Sequence, residues 1–201
     1  MTMIRTAAPT VLAVSLTEAK QALKIDGNDM DALVTIWTKG VIADLEHETG
    51  QRMMEQTWEV RLPAFPGVQC WALGQPWPRQ MAAAIELPHP VMTVTSVTYI
   101  DQAGTERVMA ESEYRINRGR YASTLSPAPG ATWPATADSE NAVVVVLKCG
   151  YGNTASATPE EAQLYILAKL AEQFDPATRL ERDTVQSKFI DGLLDRIRCY
   201  S

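Results

Sequence analysis

The sequence predicts an α+β fold: a small helical bundle, built from an N-terminal helical hairpin plus C-terminal helices, with an inserted β-rich subdomain of short antiparallel strands. Three observations predict it. Apolar residues recur at helical spacing near both ends of the chain, they alternate with a two-residue period through the middle, and capping or turn residues stand at each change of period. The boundaries that follow are an N-terminal arm at 1–14, a bundle core at 15–50 and 158–175, the strand region at 51–157, and a linker with a C-terminal amphipathic helix at 176–201.

The first helix opens at Ser15, with Glu18 three residues on, the pattern of a capping box in which each side chain satisfies an orphan amide of the other. Leu16, Ala19 and Leu23 share a face, and Ile25-Asp26-Gly27 ends the run. Asn28 or Asp29 is expected to cap the second helix, whose Met30, Leu33, Val34, Trp37, Val41 and Leu45 recur down to Gly50, a left-handed stop. Gly40 inside that helix costs about 1 kcal/mol against alanine, so either packing overrides that cost or something approaches closely there. Trp58, Val60 and Leu62 then alternate with polar residues as a half-buried strand, and Pro63 and Pro66 close it. A long loop with Trp71 and Trp77 follows.

Further strands are expected at 85–87, 94–100, 105–109, 114–117 and 121–125, with Gly104 tolerating positive φ in one hairpin and Arg118-Gly119-Arg120 turning another. Ala142–Cys149 is continuous enough to predict a strand buried on both faces. Thr158-Pro159-Glu160-Glu161 reads as a cap, a proline at the first helical position and an acid at the third. The helix it opens carries Leu164, Leu167, Ala168 and Ala171 as one stripe, widened by Tyr165, Ile166, Leu170 and Phe174, up to Asp175-Pro176. Beyond a polar linker, Phe189, Leu193, Leu194 and Ile197 share one face of a last helix and Arg196 and Arg198 the other. That segment either folds back onto the core or docks on a partner; the stripe suits both.

The chain has 201 residues, 46% hydrophobic and 21% charged, with a net charge of −6, which argues against a protein whose main task is gripping DNA phosphates. Cys70, Cys149 and Cys199 stand far apart and outside any CxxC spacing, so reduced thiols are expected rather than a disulfide framework or zinc site. No window is long and apolar enough for a membrane span.

Catalytic constellations are missing from the pattern. His47-Glu48 lacks a second histidine four residues on, where Gln51 stands, and His89 between two prolines has no partner motif. Gly150-Tyr151-Gly152 follows a strand but lacks the lysine and the third glycine of a phosphate loop. Asp26, Asp29, Asp31, Glu46, Glu48, Glu160 and Glu161 read as caps or solvated faces, and Arg115, Arg118 and Arg120 as a solvated hairpin tip. No catalytic, cofactor-binding or metal residues are assigned, and no cofactor is expected.

The order of SLTEAKQALKIDGNDMDALV, QTWEVRLPAFPG, IELPHPVMTVTSVTYIDQAG and GATWPATADSENAVVVVLKCGYG before TPEEAQLYILAKLAEQF resembles the head-tail connector (adaptor) family of tailed bacteriophages and prophages, over roughly residues 15–175. The resemblance implies a non-enzymatic virion protein of the neck, assembled in the bacterial host cytoplasm. Its implied partners are further copies of itself in a ring, typically of twelve, the portal protein, and a head-completion or tail protein. Double-stranded DNA is expected to pass through the channel without sequence-specific binding. Phe189, Leu193, Leu194, Ile197, Arg196 and Arg198 are then candidates for portal docking, and Trp37, Gly40, Val41, Leu45, Tyr165 and Leu170 for packing in the bundle or across the ring. Alternative readings are a tail-side joining or terminator protein, and a small hydrolase or nucleotide-binding enzyme with a site at the tryptophan loop.

Overall fold

A computed structural model describes residues 1–66, 84–174 and 188–198, with side chains described from residue 192 onward in the last stretch. The tryptophan loop around Trp71 and Trp77, the linker after Phe174, Cys70 and Cys199 lie outside the described residues. The fold mixes α-helices with antiparallel sheets, and the chain divides into two compact units: Met1–Ala8 with Gln56–Cys149, and Pro9–Glu55 with Gly150–Ser201.

The first unit is built of strands. A five-stranded antiparallel sheet has β1 (Thr2–Ala7), β2 (Gln56–Leu62), β8 (Val143–Cys149), β4 (Val91–Ile100) and β5 (Glu106–Val108) in that spatial order. A second sheet has three strands in the order β3 (Ile85–Leu87), β7 (Ser123–Pro127) and β6 (Tyr114–Arg118). Register explains the core. Val145 on β8 lies opposite Val60 on β2 and Val97 on β4, and all three are fully buried, so one row of β-branched side chains runs across three strands. Phe65 stacks on Trp133 with centroids 4.6 Å apart and meets Tyr99 edge-to-face at 5.7 Å.

Two expectations are corrected here. Strand β8 is not buried on both faces: Val143, Val145, Leu147 and Cys149 are buried, while Val144, Val146 and Lys148 between them are not, the alternation of a sheet covered on one face only. Residues 1–14 are not one extended arm either. Thr2–Ala7 forms β1 on the edge beside β2, whereas Ala13 and Val14 are buried in the helical unit. The Asp101 turn forms as expected, with Gly104 at φ 80° and the Asp101 carboxylate accepting the amides of Ala103 and Thr105, each at 2.9 Å.

The second unit holds α1 (Leu16–Leu23), α2 (Asp31–Thr49), α3 (Glu160–Phe174) and α4 (Lys188–Ile197). The α1 capping box is formed: Ser15 Oγ accepts from Glu18 N at 3.2 Å, and Glu18 Oε2 accepts from Ser15 N at 2.8 Å. These bonds hold the Glu18 carboxyl below its ordinary pKa. Neither Asn28 nor Asp29 caps α2; its N-cap position is Met30, with no side-chain bond, and the Asp31 carboxylate pairs with Lys20 at 2.6 Å. Gly50 closes α2 at φ 71°. Thr158 also departs from its expected role, donating to Met54 Sδ at 3.4 Å rather than capping α3. Val34, Leu45, Tyr165, Ile166 and Leu170 fill the shared core, and Trp37 meets Phe174 edge-to-face at 5.7 Å.

Candidate functional site

The two sequence-nominated histidines fall in different units, His47 in the helical one and His89 in the strand one. His47 is exposed near the end of α2. His89 is buried, its Nδ1 2.8 Å from Ser123 Oγ, and the same hydroxyl accepts the Val91 amide at 3.3 Å, so the Ser–His contact ties β7 to the start of β4. Desolvation lowers the His89 pKa against a smaller opposing effect of the Arg120 backbone. Among the described residues no group of three or more His, Cys, Asp or Glu side chains could hold a metal ion, and no helix is long and apolar enough to cross a membrane.

Gly150-Tyr151-Gly152 uses its glycines for close backbone approach. A Cβ at Gly150, which sits at φ 126°, would lie 2.3 Å from Met54 O, and one at Gly152 would lie 2.6 Å from Ala157 Cβ. Tyr151 N donates to Met53 O at 3.3 Å, and Gly152 O accepts from Glu55 N at 2.8 Å. The Tyr151 amide, engaged in this way, is not turned to a phosphate.

Glu46 was expected on a solvated face and is instead buried, with Oε1 accepting the Met53 amide at 2.9 Å and Arg52 at 3.8 Å from Oε2. Its carboxylate serves the chain just after α2, where helical bonding has ended. Gln51 extends this polar closure. Its Nε2 donates to Ile197 O, and its Oε1 accepts from Tyr151 OH.

The portal-docking candidates are engaged inside the chain. Leu193 and Ile197 are buried, Leu194 packs against the same core, and Arg198 bridges to Glu48 at 2.7 Å. Arg196 is exposed, and the Phe189 side chain lies outside the described residues. Of the bundle or ring-packing set, Leu45, Tyr165 and Leu170 are buried in this chain's own core, and Trp37 and Val41 are half-buried. Gly40 differs. It is exposed, and a Cβ there would meet nothing within 4 Å, so no packing among the described residues requires a glycine.

The outward side of α2 carries Ile36, 64% exposed, and Leu33, 39% exposed, one turn or less from each other and in line with Gly40. Leu33, expected from the sequence in one stripe with Val34 and Leu45, is instead on this exposed side, and Ile36 falls outside that stripe. Its signal was available: positions 33, 36 and 40 repeat at helical spacing on the side away from 34, 38, 42 and 45.

No family model matches the sequence, and no curated protein matches it. Solved structures do. The chain is similar to a chain in the neck of an empty GTA particle at C6 symmetry, with a TM-score of 0.75, to one in the virion of a native gene transfer agent (GTA) particle, with 0.70, and to one in the native GTA neck at C12 symmetry, with 0.69. Each likeness is at 20% identity and covers 100% of this chain and 97% of the other. From end to end, then, this chain has the fold of a polypeptide found in the neck of a gene transfer agent particle.

Proposed function

We propose that the protein is a structural subunit of a virion neck, a head-tail connector that assembles as a ring below the portal, extends the DNA channel and joins the filled head to the tail. The observation that carries this reading is the full-length likeness to a neck chain at a TM-score of 0.75. In this reading the helical hairpin of α1 and α2, with α3 and α4, builds the ring, and the strand unit is its insertion. The portal and a head-completion or tail protein are the neighbours, and the subunit has no catalytic role. The exposed Leu33, Ile36 and Gly40 supply a surface on which a neighbouring helix can approach closely.

The test is electron microscopy and mass photometry of the purified protein, alone and mixed with portal rings. Rings of wild-type protein on the portal are expected. Ile36→Asp should keep the helical circular dichroism yet fail to form rings. Gly40→Ala should stabilise the single subunit by roughly 0.5–1 kcal/mol while weakening assembly. A wild-type protein that stays monomeric and never binds portal or assembled heads would sink the reading.

A further inference from the structure

We infer that the β6–β7 hairpin is a sequence-independent binding surface for the phosphate backbone of duplex DNA. In a chain of net charge −6, the stretch from Tyr114 to Ala137 contains three arginines and no carboxylate. Strand register then sorts its side chains. Arg115 lies opposite Ser126 and Asn117 opposite Thr124, so these four share one face, while Tyr114, Ser123 and Leu125 are buried on the other. Asn117 Nδ2 donates to Thr124 Oγ1 at 3.3 Å and to Ser126 Oγ at 2.9 Å, which braces the polar ladder.

At the turn, one arginine anchors and the next is displayed. Arg118 donates from Nε to Val91 O at 3.1 Å and from Nη2 to Met92 O at 2.7 Å, fixing the hairpin to the start of β4. Arg120 lies over the Tyr121 ring at 5.2 Å, and both side chains are exposed. Beside the exposed Glu86 carboxylate opposite Thr124, the displayed set is therefore two guanidinium groups, hydroxyl and amide groups, and one aromatic ring. Arginine, serine, threonine, asparagine and tyrosine are the side chains that contact phosphate and sugar without reading base sequence. Glu86 is the carboxylate of the same sheet face, on β3, with β7 between it and Arg115.

Charge complementarity selects a polyanion, and the polar ladder selects a nucleic acid over an acidic protein. A protein partner draws most of its affinity from buried aromatic or aliphatic anchors, and beside the ladder this hairpin displays only Tyr121. The inference stands on the hairpin's own chemistry; the neck reading adds only that the duplex is the DNA passing the neck.

Fluorescence anisotropy of a labelled random-sequence duplex, titrated with the full chain across a range of salt, tests it. Wild-type protein should bind at low salt with affinity that falls linearly on a log–log plot. The double variant Arg115→Ala/Arg120→Ala should weaken binding by roughly tenfold and flatten the salt slope by about 2, near 0.9 for each lost phosphate contact. Arg115→Lys/Arg120→Lys, which keeps both charges, should retain the slope. Arg118 is left in place because it braces the fold. No binding by wild-type protein at low salt, an unchanged slope in the alanine variant, or preference for labelled polyglutamate over duplex would each overturn the inference. None of these outcomes bears on whether the protein forms rings on the portal.

Discussion

In the strand unit, Val60, Val145 and Val97 stack side by side across three hydrogen-bonded strands, and the described buried polar side chains are Gln56, His89 and Ser123. The helical unit closes differently. Thr38 and Thr49 are buried and donate to Val34 O and Leu45 O at 2.8 and 2.7 Å, while Glu46 and Gln51 carry hydrogen bonds to chain segments that leave or return to the helices. Sheet ladders satisfy their own backbone, so apolar side chains can do the rest. Helix ends leave orphan groups, and a bundle whose ends are buried must supply polar side chains for them. The difference teaches where each unit is vulnerable: the first to lost volume, the second also to a lost hydrogen bond.

The sharpest way to break this comparison is to remove equal volume from both. Leu147→Ala in the sheet and Leu45→Ala in the bundle, each fully buried in the native chain, should each cost about 2–5 kcal/mol in chemical denaturation. If the units unfold separately, each substitution will shift one of two transitions; a single shared transition shifted by both would show that they fold as one. Next in size is Gln51→Ala, which strips partners from Ile197 O and Tyr151 OH and should cost about 1–3 kcal/mol. Hydrogen exchange at α4 should accelerate in that variant, and unchanged protection there would remove Gln51 from the account of how α4 is held.

The smallest effect concerns His89, which is buried in the strand unit along with the polar Gln56 and Ser123. Its pKa is lowered by desolvation in the folded state, so the unfolded chain binds the proton first as pH falls. The contribution of neutral His89 is complete above its ordinary pKa of about 6.5 and is lost as pH drops from there through the lowered folded value. His89→Gln should flatten stability against pH in that window, and urea midpoints measured from pH 7.5 down to 5 should show it. A slope equal to wild type would assign the acid sensitivity elsewhere.

Much of the architecture was legible because its signals are local. Ser15 and Glu18 announce the capping box, Gly50 and Gly104 the positive-φ stops, and the valines of 143–146 a strand. What sequence could not supply was partner choice. Thr2–Ala7 carries no alternation of its own, with five of its six residues exposed, and becomes a strand because β2 offers it an edge. Glu46 read as a solvated face because its acceptor role depends on how the chain turns back to Met53 after α2, and Gln51 drew no reading because its partners, Ile197 and Tyr151, lie far along the chain. Ile36 and Gly40 were legible as a pattern, but only the structure shows that the described residues leave them exposed.

The path of the chain between its units sets an order of birth on the ribosome. Strand β1 is made first, yet its partner β2 follows only after α1 and α2 have emerged, and the strand unit then runs uninterrupted from Gln56 to Cys149. The strand unit therefore has all its parts before α3 and α4 exist, whereas Val34 and Leu45 must wait for Tyr165, Ile166 and Leu170. During that wait the inner stripe of α2 has only α1 and the segments beside it for cover. A nascent chain stalled after Cys149 should thus recruit chaperones through residues 30–45, and released full-length protein should not.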